Sequence, residues 1–172
     1  MADALHYLSL IELSERLRRR QLSPIEAVGA MLDRIDRIDG ELASYVTVLA
    51  DRSLERAREA EAEIARGFWR GPLHGVPIAL KDLCFTRFAP TSGGMAIHAD
   101  FIPDHDATVV ARLERAGAII LGKLAMTEGA ASVGHHPSMR VPVNPWGERH
   151  WSGASSSGSG VATAAGLCFG SL

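Results

Sequence analysis

Gly75-Val76-Pro77-Ile78-Ala79-Leu80-Lys81-Asp82 is where the chain changes character, from charged helical segments to short apolar runs separated by glycine and proline. The unbroken apolar run from Val76 to Leu80 predicts a buried strand. Pro77 predicts an edge position or a strand start, since proline donates no ladder hydrogen bond. Asp106 to Ala116 then reads as a helix closed by Gly117, and Ala118-Ile119-Ile120-Leu121 as the next apolar strand. Strand, helix, strand implies a parallel pair, because parallel neighbours need a crossover of helical length. The expected fold class is α/β, with a mixed, largely parallel sheet wrapped by helices.

Upstream of this stretch the chain reads as a helical layer over residues 1–70. A first helix is predicted from Ser9 to Arg20, with Leu10, Ile11, Leu13 and Leu17 close to one face. Ser23-Pro24-Ile25-Glu26 begins a second, with Ser23 as N-cap, Pro24 in the first turn and Glu26 returning to the Ser23 amide; Gly40 is its expected end. Tyr45 to Leu49 reads as a short strand. Arg52 to Arg66 reads as a third helix with Gly67 just past its end, and its alternating Glu and Arg form a solvated face.

Downstream, residues 71–172 read as the start of the sheet core. His135 to Trp151 carries Pro137, Pro142, Pro145 and Gly147 and is expected to be a loop. It leads into Gly153-Ala154-Ser155-Ser156-Ser157-Gly158-Ser159-Gly160 and then an alanine-rich helix from about Ser159 to Cys168, whose small side chains predict close, buried packing. No internal repeat or linker divides the chain, so residues 1–172 are expected to belong to a single domain.

Composition narrows the class. With 172 residues, 47% hydrophobic and 22% charged, the chain is that of a globular domain able to bury a core. Eighteen basic against twenty acidic residues, a formal charge of −2, argue against a surface built for nucleic acid. No run reaches bilayer length and the N-terminus lacks a charged leader before an apolar block, so no membrane partner and a cytoplasmic location are expected. Cys84 and Cys168 lack metal-ligand spacing and read as reduced thiols.

Two features carry chemistry. Lys81 directly follows a predicted buried strand, and open α/β sheets place functional groups at the carboxyl ends of their strands. A lysine that loses part of its water there is biased toward the neutral amine. A salt bridge to the adjacent Asp82, or an exposed amine, is the alternative. The second feature is the Gly153–Gly160 segment, with four serines and three glycines. It has the glycine spacing of a phosphate loop, but Ser159 stands where that motif needs lysine. It also fails as a nucleophile elbow, since Ser157 replaces the second glycine. His135-His136 lacks a carboxylate or cysteine at ligand spacing, so a loop near a substrate entrance is expected rather than a metal site. Lys123 reads as structural or at a rim, and His74 as a packed or surface histidine.

Taken together, Gly75 to Asp82, Gly122-Lys123 with Thr127-Glu128, Asn144-Pro145-Trp146, and Gly153 to Ser159 occur in the order and approximate spacing of the amidase signature family. The chain resembles that family from near its start to its last residue. The resemblance implies hydrolysis of carboxamides by a serine, a second serine preceded by a cis peptide bond, and a lysine. Lys81 resembles the general base and Ser155 the cis-serine that relays protons. Ser156 resembles the neighbour that helps hold the lysine, with Gly153 and Ala154 supporting the loop. Ala154 departs from the usual second glycine of the motif, and Ser152 stands where proline is frequent.

In that family the attacking serine follows in a Gly-Gly-Ser segment roughly two dozen residues after the cis-serine, which falls about seven residues past Leu172. The expected nucleophile is therefore absent from these residues, and Ser171 lacks the glycine context. The resemblance implies a small-molecule amide as substrate, no metal and no organic cofactor. It leaves a homodimer of the intact enzyme open. The chain is expected to be an inactive fragment alone. The alternatives are a glutamyl-tRNA(Gln)-type amidotransferase component that works on misacylated tRNA, and a non-catalytic truncated chain whose exposed sheet edge seeks a partner.

Overall fold

The computed structural model describes residues 5–131 and 134–172. Its first helices are set by the caps that the sequence predicts. In α1 (Leu10–Arg18), the Ser9 hydroxyl accepts from the Glu12 amide at 3.2 Å while the Glu12 carboxylate accepts from the Ser9 amide at 2.7 Å. Helix α2 (Pro24–Leu42) repeats the device with Ser23 and Glu26, whose carboxylate accepts from the Ser23 amide at 2.9 Å. Leu13 and Leu17 of α1 and Val28, Met31 and Ile35 of α2 fall at helical spacing and are buried.

One boundary differs from expectation. Helix α2 runs through Gly40 and stops at Ala43, which takes a left-handed conformation at φ 53°. Asp39 sets this exit, because its carboxylate accepts from the amides of Ser44 at 2.9 Å and Tyr45 at 3.0 Å. A buried acceptor for the outgoing amides thus outweighs a glycine in an open position, where a side chain would meet nothing. Helix α3 (Ala50–Ala65) begins just before the predicted start and is followed by Gly67 at φ 84°, in the predicted terminating position.

The sheet has the order β1 (Tyr45–Val48), β3 (Ile119–Leu124), β2 (Pro77–Lys81), with β1 antiparallel and β2 parallel to β3. Pro77 is the first residue of β2, the strand-start position that its missing N–H permits. Helix α4 (Thr108–Arg115) makes the crossover between the two parallel strands. Strand β3 continues past the expected Leu121 to include Gly122, Lys123 and Leu124, all buried. After α5 (Ser157–Ala164), residues 170–172 run along the other side of β2. The Ala79 amide donates to the Gly170 carbonyl at 3.0 Å, and the Lys81 amide to the Leu172 carbonyl at 2.7 Å.

The period of two along these strands divides the core between the faces of the sheet. Ala79, Ile119, Leu121 and Leu124 pack with α2, α3 and α5 on one face. Ile78, Leu80, Ala118 and Ile120 pack with α1 and α4 on the other. This is the mixed α/β architecture wrapped by helices that the sequence predicts, and it leaves the carboxyl ends of β2 and β3 side by side.

Candidate active site

Lys81 is the last residue of β2 and is partly buried. Its Nζ donates to Ser155 Oγ at 2.6 Å, across 74 residues of sequence. The peptide bond between Ala154 and Ser155 is cis. The segment that follows β3 seats the serine loop: the Thr127 amide donates to the Ser155 carbonyl at 3.1 Å, and the Gly158 amide to the Ala125 carbonyl at 2.9 Å. Gly158 is required for this approach, since a Cβ there would lie 2.5 Å from the Ala125 nitrogen and 2.6 Å from the Ser44 carbonyl oxygen. Gly153 turns the chain into the loop at φ 87°, a left-handed conformation that favours glycine. Ala154, the departure from the usual glycine, is exposed.

The other serines go elsewhere. Ser156 is exposed at the start of α5, and its hydroxyl makes no hydrogen bond to Lys81. Ser157 is buried, with Oγ 2.9 Å from His135 Nε2; burial pushes the His135 pKa down, toward the neutral ring. His136 Nδ1 instead accepts from the Ser138 amide at 3.1 Å, so the two adjacent histidines face different partners. Ser171 Oγ lies 3.0 Å from Thr163 Oγ1 and 3.4 Å from the Ser159 carbonyl oxygen, away from Ser155. Among the described residues, no third hydroxyl hydrogen-bonds Ser155 Oγ, and no cluster of three His, Cys, Asp or Glu side chains could hold a metal ion.

The partner of Asp82 is the feature that sequence reasoning misses. Asp82 pairs with Lys123 rather than with Lys81, at 3.2 Å between Oδ1 and Nζ, with both side chains buried. Lys123 Nζ also donates to Thr91 Oγ1 at 2.6 Å, to the Pro90 carbonyl at 3.2 Å and to Thr86 Oγ1 at 3.3 Å. Asp82 Oδ2 accepts from the Ser92 amide at 3.0 Å and from the Ser92 hydroxyl. Burial pushes the Lys123 pKa below the ordinary lysine value, and the Asp82 carboxylate opposes that shift. Lys123 is thus structural and not at a rim. A signal for it was present in composition: of eighteen basic residues only Lys81 and Lys123 are lysines, so arginine serves as the surface cation.

His74 is packed rather than superficial, with its Nδ1 accepting from the Arg70 amide at 3.2 Å and its Nε2 3.0 Å from Glu63 Oε2. Cys84 and Cys168 are both free thiols, and burial pushes the Cys168 pKa up to about 11.

A lysine at a strand end, bonded to a serine that follows a cis peptide in a glycine-serine loop, is the arrangement that the motif order implies. A sequence model of the Amidase family matches residues 26–172, and the chain belongs to the amidase signature family. The AmiD protein of Mycobacterium tuberculosis, provisionally classed as an amidase, is 56% identical over 99% of this chain and 36% of its own length. A glutamyl-tRNA(Gln) amidotransferase component of Moorella thermoacetica is 44% identical over 96% of this chain and 34% of its own. The native peptide amidase of Stenotrophomonas maltophilia superposes with a TM-score of 0.87 at 33% identity, covering 94% of this chain and 35% of that one. The chain therefore spans about a third of the length of the curated relatives it matches.

Proposed function

We propose that this chain supplies the base and the proton relay of an amide-cleaving site, with Lys81 as base and Ser155 as relay. The observation that carries the reading is the 2.6 Å hydrogen bond between Lys81 Nζ and Ser155 Oγ. A hydroxyl already bonded to an amine can pass that amine a proton while taking one from a second hydroxyl. The reaction is acyl transfer. The attacking oxygen adds to the carboxamide carbonyl as its proton moves through Ser155 to Lys81, the amine leaves with that proton, and water then releases the acid.

The attacking hydroxyl is proposed to lie outside these 172 residues. The hydrogen bonds of Ser157 and Ser171 engage them elsewhere, with His135 and Thr163. Residues 170–172 lie beside β2 with the Leu172 carbonyl on the Lys81 amide, so a chain continuing from Leu172 sets out next to the base. On this reading the 172 residues alone do not hydrolyse carboxamides. Assay of the purified chain on simple primary amides tests it, and turnover abolished by Lys81→Ala would show that the nucleophile is within the chain. A second reading follows from the 44% identity to an amidotransferase component. There the released nitrogen would pass to an acceptor with the help of a companion protein, and co-purification of such a companion separates the two.

A further inference from the structure

Lys123 has no exposed surface, and the chemistry proposed above gives it no task. Its place in the sheet supplies one. Lys81 is in register with Leu124, and Lys123 with Leu80, so the two lysines leave neighbouring strands toward opposite faces. Asp82 follows Lys81 where β2 ends, and its side chain goes to the Lys123 face.

We infer that Lys123 is a positioning residue: by holding the Asp82 carboxylate on the face opposite Ser155, it keeps the adjacent Lys81 directed at the Ser155 hydroxyl. This rests on the reading of Lys81 as the base. The same pair ties in the serine loop. The Asp82 amide donates to the Leu124 carbonyl at 2.9 Å, and its carbonyl accepts from the Gly93 amide at 3.0 Å. Gly93 in turn accepts from the Gly129 amide at 2.9 Å, beside Thr127, whose amide seats Ser155. Both ends of the Lys81–Ser155 bond are thereby referred to one buried ion pair. The three charges share a neighbourhood: burial raises the pKa of the Cys84 thiol, Lys123 and Lys81 both oppose that shift, and Asp82 adds to it.

Without Lys123, Asp82 would be a buried carboxylate with no cation, which must reach water or another cation. Lys81, one residue away, is the cation within reach, and capture by Asp82 would draw it from Ser155. Because the chain holds only two lysines, acetylation of the native protein followed by peptide mass spectrometry reads each amine separately. In the unaltered chain Lys81 reacts and Lys123 is protected. In Lys123→Met, acetylation of Lys81 is expected to slow about tenfold as its amine pairs with the freed carboxylate. Adding Asp82→Asn removes that carboxylate and is expected to restore the rate to within about twofold, since a neutral pair needs no cation.

An unchanged Lys81 rate in folded Lys123→Met would overturn the inference, as would equal slowing in the single and double variants, which is what general loosening produces. If Lys123→Met does not fold, the double variant decides alone. A Lys81 rate near that of the unaltered chain supports the inference. An altered rate, or failure to fold, overturns it by making the pair a requirement of the fold itself. None of these readouts needs turnover. Loss of the base assignment would show separately, as amidase activity of the intact enzyme surviving Lys81→Met.

Discussion

Lys81 and Lys123 sit at the ends of adjacent parallel strands, yet one makes a single side-chain hydrogen bond and the other has four polar partners in a dry setting. Lys81 is partly open to solvent and bonded to a hydroxyl that can itself give up a proton. Lys123 is saturated by a carboxylate, two threonines and a carbonyl. What separates a working amine from a structural one here is not depth alone. It is whether the bonding leaves the nitrogen free to accept a proton, and the sheet enforces the difference by sending the two side chains to opposite faces.

The contrast breaks most visibly in stability. Lys123→Ala leaves Asp82 buried without a cation and is expected to destabilise the chain by about 3–5 kcal/mol, read from the denaturant midpoint. Lys81→Ala removes one bond at a partly exposed site and is expected to cost no more than about 1.5 kcal/mol. Equal losses for the two variants would erase the distinction drawn between them.

A smaller effect tests how the Ser155 side of the site is seated. Gly158→Ala puts a methyl group into the Ala125 and Ser44 backbone, both rigid, and is expected to lower stability by about 1–3 kcal/mol. It should also push α5 and the serine loop away from β3, so acetylation of Lys81 should change with it. A fully stable Gly158→Ala chain with unaltered Lys81 reactivity would mean that the loop is held by something other than this approach.

Much of this was legible in the sequence, for reasons tied to particular residues. Ser23-Pro24-Ile25-Glu26 states its own helix start because every partner of the cap lies within one turn. The apolar run Val76 to Leu80 and the run Ala118 to Leu121 declared buried strands, though Lys123 hid the true length of β3, since a charged residue there reads as an end. The helix predicted from Ser159 begins at Ser157 and stops at Ala164, where Gly166 at φ 65° turns the chain back toward β2. The meeting of Lys81 with Ser155 rested on motif order, because no local pattern encodes a contact between residues so far apart. The Asp82–Lys123 pair was invisible for the same reason, and the adjacency of Lys81 and Asp82 pointed the wrong way. A one-residue step along a strand reverses the face, which adjacency in sequence does not show.

The smallest expected effect concerns a buried ionisable group that, unlike Lys123, can give up its charge. His74 is almost without exposed surface, and its Nδ1 accepts from the Arg70 amide, so the ring proton sits on Nε2 toward Glu63. Burial lowers its pKa from 6.5, and the opposing pull of Glu63 is weaker. The folded chain therefore binds this proton less readily than the unfolded chain. The stability contributed by neutral His74 is full above the unfolded value of 6.5 and is lost as pH falls through the lower folded value. His135, also lowered by burial, acts with the same sign, so the comparison is best made in a His135→Asn background. Glu63 is lowered chiefly by its hydrogen bond with Arg70, so its own loss comes only in the carboxylate range, at more acid pH. In that background the denaturant midpoint is expected to fall between about pH 7.5 and pH 5.5, and His74→Gln to flatten the fall. A midpoint that rises on acidification would mean that His74 is held charged against Glu63. That would make it a second buried ion pair like that of Lys123, and would remove the contrast between a buried charge kept by its partners and one given up to burial.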